Sequence, residues 1–271
     1  MSVSAPDLRI RYFGWSTVLV EGDGLRLVFD PFWNSLYDTR WATVEDFTGV
    51  EAIVLSHGHN EHFIDTPKLF DHTGADVYGP AELMPWLAEM EGLPVAKLHG
   101  LAAGDRVRLG GAELQSFAWS HREVSRSRYL SGDAVFGMRF AAASALLAPP
   151  VSSYLGYVLR LANGLCIVNL AEGMNPGLSD GQLAALVGLG YGADVLLAGA
   201  QLSFTAACAR VVAALRPRQL LLYHPHQVLF ERLGLASAPP GDFLTAAREA
   251  WPEIEAGYLE PGDSFEIVSR V

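Results

Sequence analysis

An apolar run of strand character, EAIVLS, leads without a break into SHGHNEHF at residues 56–63. No polar residue interrupts the AIVL centre of the run, which suits a strand buried on both faces. Just past its end stand four side chains able to ligate a metal: His57, His59, Glu61 and His62. A fold that accepts this stretch has to bring a buried strand to an edge where polar groups collect. Other strand-like runs end the same way. AELQSFAWS ends at His121, RQLLLY ends at His224 and His226, and LCIVNL runs into Ala171 and the carboxylate of Glu172. In layered α/β folds the carboxyl ends of strands share an edge, and sites form there. Imidazole suits zinc, iron, manganese or nickel, and added carboxylates favour a harder or a second ion. Together His57, His59, Glu61, His62, His121, Glu172 and His226 are enough for two divalent ions.

The rest of the chain reads as strands and helices in alternation. LRIRYFG, STVLVEG and LRLVFDP are short runs rich in β-branched and aromatic residues, separated by turns such as EGDG, and predict an antiparallel meander. AELMPWLAEME has helical spacing behind Pro80, and strands are expected at residues 106–109 and 112–119. YLGYVLRL, LCIVNL, DVLLAG and RQLLLYH read as further strands. SDGQLAALVGLG reads as a helix capped by Ser179 or Asp180, and SFTAACARVVAALRP as a helix stopped at Pro217. No linker or exact repeat divides the halves, so residues 1–271 read as a single α/β domain, a pair of sheets flanked by helices. Residues 122–153 are the least regular and read as an insertion or lid.

With 271 residues, half of them apolar, the chain has enough material for a full core. Its net charge of -11 argues against a nucleic-acid or anionic-membrane surface, which needs an excess of Lys and Arg. The opening MSVSAPDLRI lacks a signal-peptide layout, and FAAASALLAPPV is too short and proline-rich to span a bilayer, so a cytoplasmic location without a membrane span is expected. Cys166 and Cys208 have no C-x-x-C spacing and read as buried small hydrophobes. REVSRSR sets Arg122, Arg126 and Arg128 directly after His121. Their planar forks of donors suit a substrate phosphate or carboxylate, and a solvated loop accounts for them equally well. The apolar residues 135–151 fit a cover over an acyl or aromatic group, a core helix or a subunit contact.

SHGHNEHF resembles the H-x-H-x-D-H signature of the metallo-β-lactamase superfamily, and VFDPFW resembles the strand and Asp that precede it there. The likeness is greatest to the branch of ascorbate-6-phosphate lactonase-like and N-acyl-phosphatidylethanolamine phospholipase D-like hydrolases. It continues in order through GWSTVLVEG, LVFDPFW, AWSH, HPHQVLF and EPGDSFEI. The resemblance implies a four-layered αββα sandwich. It also implies that His57, His59 and His121 hold one ion, that Glu61, His62 and His226 hold another, and that Glu172 takes the place of a bridging Asp. Asp30 would orient the site by hydrogen bonds. His224 competes with His226 for one ligand position, and the family pattern favours His226, leaving His224 as a proton donor or a structural strand residue. In the family a water or hydroxide between the ions attacks an electrophilic carbon or phosphorus, because the ions lower its pKa and stabilise the developing charge.

Two departures from the family pattern stand out. Glu61 replaces the Asp of the signature, and Ala171-Glu172-Gly173 stands where Gly-Asp-Thr is usual, so both carboxylates are one methylene longer. Three readings follow. The leading one is a metal-dependent hydrolase of a small ester, lactone, amide or phosphodiester, anionic substrates included, with Glu61, Asp30 and His224 as candidate catalytic groups. Zinc is the expected ion, with manganese or iron as options. The second is a di-iron oxygenase or oxidoreductase on the same fold, motivated by the longer carboxylates. The third is a metal- or ligand-binding protein without catalysis.

Overall fold

Alternate residues of the first strands go to two different cores, and that division builds the layers. The computed structural model describes residues 6–33, 41–122, 129–147, 149 and 153–268. β1 (Leu8–Tyr12), β2 (Val18–Gly22) and β3 (Leu25–Phe29) form the expected antiparallel meander. Val18, Val20, Leu27 and Phe29 face one core, while Leu19 and Val28 face another, as the two-residue period of a strand requires. β4 (Ala52–Val54), β5 (Asp76–Pro80) and β6 (Leu98–Leu101) extend this sheet in parallel.

The second sheet repeats the plan. β7 (Arg106–Leu109), β8 (Ala112–Ala118), β9 (Leu155–Arg160) and β10 (Cys166–Asn169) are antiparallel neighbours. β11 (Val195–Gly199), β12 (Gln219–Tyr223) and β13 (Glu255–Tyr258) then add on in parallel. β14 (Ser264–Ile267) crosses back and closes the first sheet against β1, so among the described residues each sheet has seven strands. Between the sheets lie Tyr12, Phe29, Val54, Tyr157, Leu197 and Tyr223, all within 1% of full burial.

The outer faces are covered by helices. α1 (Asn60–Phe63), α2 (Thr66–Thr73) and α3 (Leu83–Glu91) follow β4 and β5, and Phe63, Leu69, Leu83 and Leu87 pack on Val28, Ile53 and Val77. α4 (Ala134–Leu146) precedes β9. α5 (Asp180–Gly190), α6 (Thr205–Leu215), α7 (Gln227–Leu233) and α8 (Pro240–Ala250) belong to the second half. Leu186, Val211 and Phe243 from α5, α6 and α8 cover Val168, Leu196 and Leu220 of the second sheet. Burying each such side chain contributes about 1.5–3 kcal/mol. Helix, sheet, sheet and helix make the four layers of the expected αββα sandwich.

Ser179, rather than Asp180, caps α5: its hydroxyl accepts from Gln182 N at 3.2 Å, and Gln182 Oε1 accepts from Ser179 N at 3.0 Å. Two expectations need correction. Pro80 ends β5 instead of introducing the helix, which starts at Leu83. Residues 122–153, read as the least regular part of the chain, contain α4, the core-helix alternative for residues 135–151, and its Asp133 cap accepts from Phe136 N at 3.0 Å. AVFGMRFAAASAL is apolar nearly all round, so it has no polar face to announce a helix; Val135, Met138 and Leu146 are exposed while Phe136 and Phe140 are buried. α4 packs with α7 over Trp15 and Phe32 in a separate apolar cluster.

Candidate metal centre

Asp30 leaves β3 at a positive φ of 46°, a backbone region that Asp tolerates better than most residues. The turn sets its carboxylate against the end of β4, where Ser56 N donates to Oδ1 at 2.7 Å and Ser56 Oγ donates to Oδ2 at 2.7 Å. With its hydrogen committed to Asp30, the Ser56 hydroxyl accepts from His57 Nδ1 at 2.9 Å. His57 Nε2 is left with a lone pair facing the centre, 3.0 Å from His59 Nδ1.

The same logic orients two more rings. His121 Nδ1 lies 2.7 Å from the Arg122 carbonyl, an acceptor only, so Nε2 carries the lone pair. That nitrogen is buried without a hydrogen-bond partner. His62 presents Nδ1 to Asp30 Oδ2 at 3.0 Å and Nε2 to Glu172 Oε1 at 3.1 Å. Outward nitrogens held by acceptors, with inward nitrogens converging, is the arrangement a histidine metal site needs. Ligand atoms of His57, His59 and His121 all lie within 4.8 Å of one another, and so do those of His57, His62 and Glu172, and of Glu61, His62 and His226. Glu61 Oε2 is a second buried atom without a partner. Orphaned donor atoms in a polar, enclosed cluster fit a divalent ion better than they fit a packed core.

Glu172 is fully buried, at a turn where Ala171 takes a φ of 49° and donates its N–H to Asn169 Oδ1 at 2.9 Å. Arg122 Nη1 binds Glu172 Oε2, and Gln201 Nε2 lies 3.3 Å from the same oxygen. His226 Nε2 sits 3.3 Å from Glu61 Oε1 and 3.5 Å from Glu172 Oε1. Gln201 was not among the sequence candidates. Its signal was its position just past DVLLAG, one more strand end on the same edge. His224 turns Nδ1 to the His226 N–H at 3.1 Å and stands edge-on to Phe230, so it braces the loop behind His226. Arg122 is inside the site, while Arg126 and Arg128 lie outside the described residues.

Burial, together with the neighbouring His62 and His59, holds His57 well below the usual imidazole range, and burial takes His59 down to about 4. Both rings are neutral at physiological pH, as ligands must be. Burial alone would depress His62, but Asp30 and Glu172 raise it to about 10, so without an ion its inward nitrogen carries a proton. Burial opposes ionisation of Glu61 and Glu172 too, yet His226 and its neighbours hold Glu61 at about 2, and His226 and Arg122 hold Glu172 well below the carboxylate range. The centre opens into a cavity of about 210 Å³, bordered by His59, Glu61, His121 and His226 on one side and by Tyr129, Phe140, Leu229, Phe230 and Leu235 on the other.

The profile of the beta-lactamase superfamily domain matches residues 9–224, a span that includes every proposed ligand except His226. The chain belongs to the metallo-β-lactamase superfamily. Within it, a UPF0173 metal-dependent hydrolase of Staphylococcus aureus is 36% identical over 101 residues, which is 36% of this chain and 42% of that protein. The match therefore spans less than half of that relative's length. Igni18, a metallo hydrolase from the archaeon Ignicoccus hospitalis, has a TM-score of 0.67 at 18% identity, covering 96% of this chain and 99% of that one. CmlA, a diiron beta-hydroxylase from Streptomyces venezuelae, has a TM-score of 0.63 at 11% identity, covering 98% of this chain and 55% of its own. At such identities the likeness to the solved structures is one of fold. Among the described residues, no helix is long and apolar enough to cross a membrane.

Proposed function

We propose that the protein is a metal-dependent hydrolase of a compact small molecule carrying an ester, lactone, amide or phosphodiester bond. The observation that carries this reading is the set of imidazole nitrogens, His57 Nε2, His59 Nδ1 and His121 Nε2, gathered beneath a cavity with an apolar wall. These three would hold one divalent ion beside Glu172, and Glu61, His62 and His226 offer a second set of donors. A bound ion would lower the pKa of water and counter negative charge on the attacked group. The relative named a metal-dependent hydrolase supports the same reading.

The chain's own groups do the rest. Asp30 and Ser56 hold His57 and His62 in place, and the Arg122 carbonyl holds His121. Glu61 Oε2, at the cavity edge and without a partner, is placed to accept a hydrogen bond from a water in the cavity, while a carboxyl held at about 2 is too weak a base to store a proton near neutrality. Phe140, Leu229 and Phe230 keep bulk water from the centre and receive an apolar substituent. A cavity of about 210 Å³ is smaller than the roughly 300 Å³ lower end of drug-sized sites, which restricts the substrate to compact molecules. Arg122 has its Nη1 on Glu172, so a substrate anion would have to compete for it.

The test is turnover of a panel of small esters, lactones, amides and phosphodiesters by chelator-stripped and zinc-restored protein. Turnover only after restoration is expected. Full metal loading with no turnover on any class would favour a binding role instead. The two buried carboxylates, Glu61 and Glu172, motivate a second reading, iron-based oxidation. Iron retained through purification, with absorption in the visible region, would favour it over hydrolysis.

A further inference from the structure

Three histidines of the centre turn their outer nitrogen to an acceptor: His57 to Ser56 Oγ, His62 to Asp30 and His121 to the Arg122 carbonyl. His226 does the opposite. Its Nδ1 lies 3.4 Å from Arg122 Nη2, and a guanidinium can only donate. A lone pair on Nδ1 of a neutral ring puts the hydrogen on Nε2, and Nε2 faces Glu61 Oε1 at 3.3 Å and Glu172 Oε1 at 3.5 Å. In this arrangement His226 donates to the two carboxylates and has no inward lone pair for an ion.

The other arm of Arg122 binds Glu172 Oε2, and Arg122 is only 8% exposed. Arginine keeps its charge in proteins, so the guanidinium is a permanent cation inside the carboxylate end of the centre. A divalent ion on Glu61, His62 and His226 would stand beside that cation and would also need His226 to move its hydrogen to Nδ1, against a donor. The site on His57, His59 and His121 also comes near the cation, since His121 Nε2 lies 3.6 Å from the Glu172 oxygen that Arg122 holds, but it is free of the second obstacle: the Arg122 carbonyl keeps the hydrogen on His121 Nδ1 and the lone pair on Nε2.

We propose that Arg122 is a built-in cation that takes the place of a second metal ion. The protein holds one ion tightly on His57, His59 and His121, and takes a second only when the guanidinium leaves Glu172. This inference rests on the metal-centre reading above and deepens it.

Metal content and calorimetric zinc titration of the full chain, stripped with chelator and re-equilibrated, test it. The wild type is expected to bind one ion tightly and a second about 10–100-fold more weakly, the range in which groups behind metal ligands act. Arg122→Gln is expected to bind two ions of similar affinity, and Arg122→Lys, which keeps the charge, to bind one. In the wild-type background Glu61→Gln is expected to leave the tight ion in place, whereas His59→Ala removes it; this pair decides the matter even if Arg122→Gln fails to fold. Two ions of equal affinity in the wild type, or loss of the tight ion in Glu61→Gln, would overturn the inference while leaving the hydrolase reading standing. A wild type that binds no ion would overturn both.

Discussion

Asp30 Oδ2 lies 3.0 Å from His62 Nδ1, with both side chains at 1% exposure. The same carboxylate accepts two hydrogen bonds from Ser56, so one residue at the end of β3 sets the positions of two ligands after β4. Asp30→Ala is expected to weaken metal binding by about 10–100-fold. It should also cost about 1–3 kcal/mol of stability, because buried donors lose their partner. Zinc titration and denaturant unfolding would check both. Asp30→Asn should retain more stability, since Asn also tolerates the positive φ at this position. Wild-type affinity in Asp30→Ala would remove the orienting role.

His59 and His224 make a contrasting pair. His59 Nδ1 points at His57 Nε2 in the donor cluster, whereas His224 Nδ1 is occupied by a backbone N–H. His59→Ala is expected to lose its tight ion and more than about 100-fold in turnover, as the removal of one of three protein ligands implies. His224→Ala should keep its ion. Metal analysis of the two folded variants side by side would decide, and equal metal loss in both would contradict these assignments.

Phe140 forms part of the cavity wall and stacks on Trp15, with ring centroids 6.2 Å apart and planes 8° from parallel. Phe140→Ala should enlarge the cavity and raise KM for the compact apolar substrates roughly tenfold, about 1.4 kcal/mol, with kcat less affected. It should also cost about 3–5 kcal/mol in stability, the usual result of emptying a buried aromatic site. Bulkier substrates should gain relative to small ones in steady-state assays. An unchanged size preference would place the substrate elsewhere.

Cys208 is completely buried in α6, and burial pushes its thiol up to about 12. An unfolded thiol ionises near pH 8.5, so the unfolded state sheds this proton first. The raised group contributes stability that is fully present below that pH and lost as pH rises towards the folded value. A disulfide exchange reagent at pH 8 should therefore modify Cys208 only in denaturant, as peptide mass mapping would reveal. Rapid labelling in native buffer would show that α6 opens far more readily than its packing suggests.

Much of the sheet plan was legible in the residues because strands such as VLVEG and LRLVF divide their apolar side chains between two faces. β5 and β6 were not, because DVYGP and LHGL contain Gly, Pro and polar residues that argue against strands. They are strands because β4 offers β5 a free edge for pairing and β5 in turn offers one to β6. For α4 a core helix is one of three readings of residues 135–151, and an apolar composition with no periodic polar face cannot choose among them. At the site, the histidines announced themselves by standing just past apolar runs, while Gln201 did not, since a lone glutamine after a strand has no pattern of its own.

What the sequence determined by itself was the kind of chemistry: imidazoles and carboxylates at strand ends, in a spacing that belongs to the metallo-β-lactamase superfamily. Only the tertiary structure decided what each group faces. Arg122 stood in the sequence as one of three arginines in a polar loop, a candidate to meet a substrate anion. Folded, it reaches Glu172, 50 residues further on, and His226, 104 residues further on. No local rule could foretell that, because hydrogen-bond partners so far apart in the chain are chosen by the packing of two sheets and not by the residues beside them.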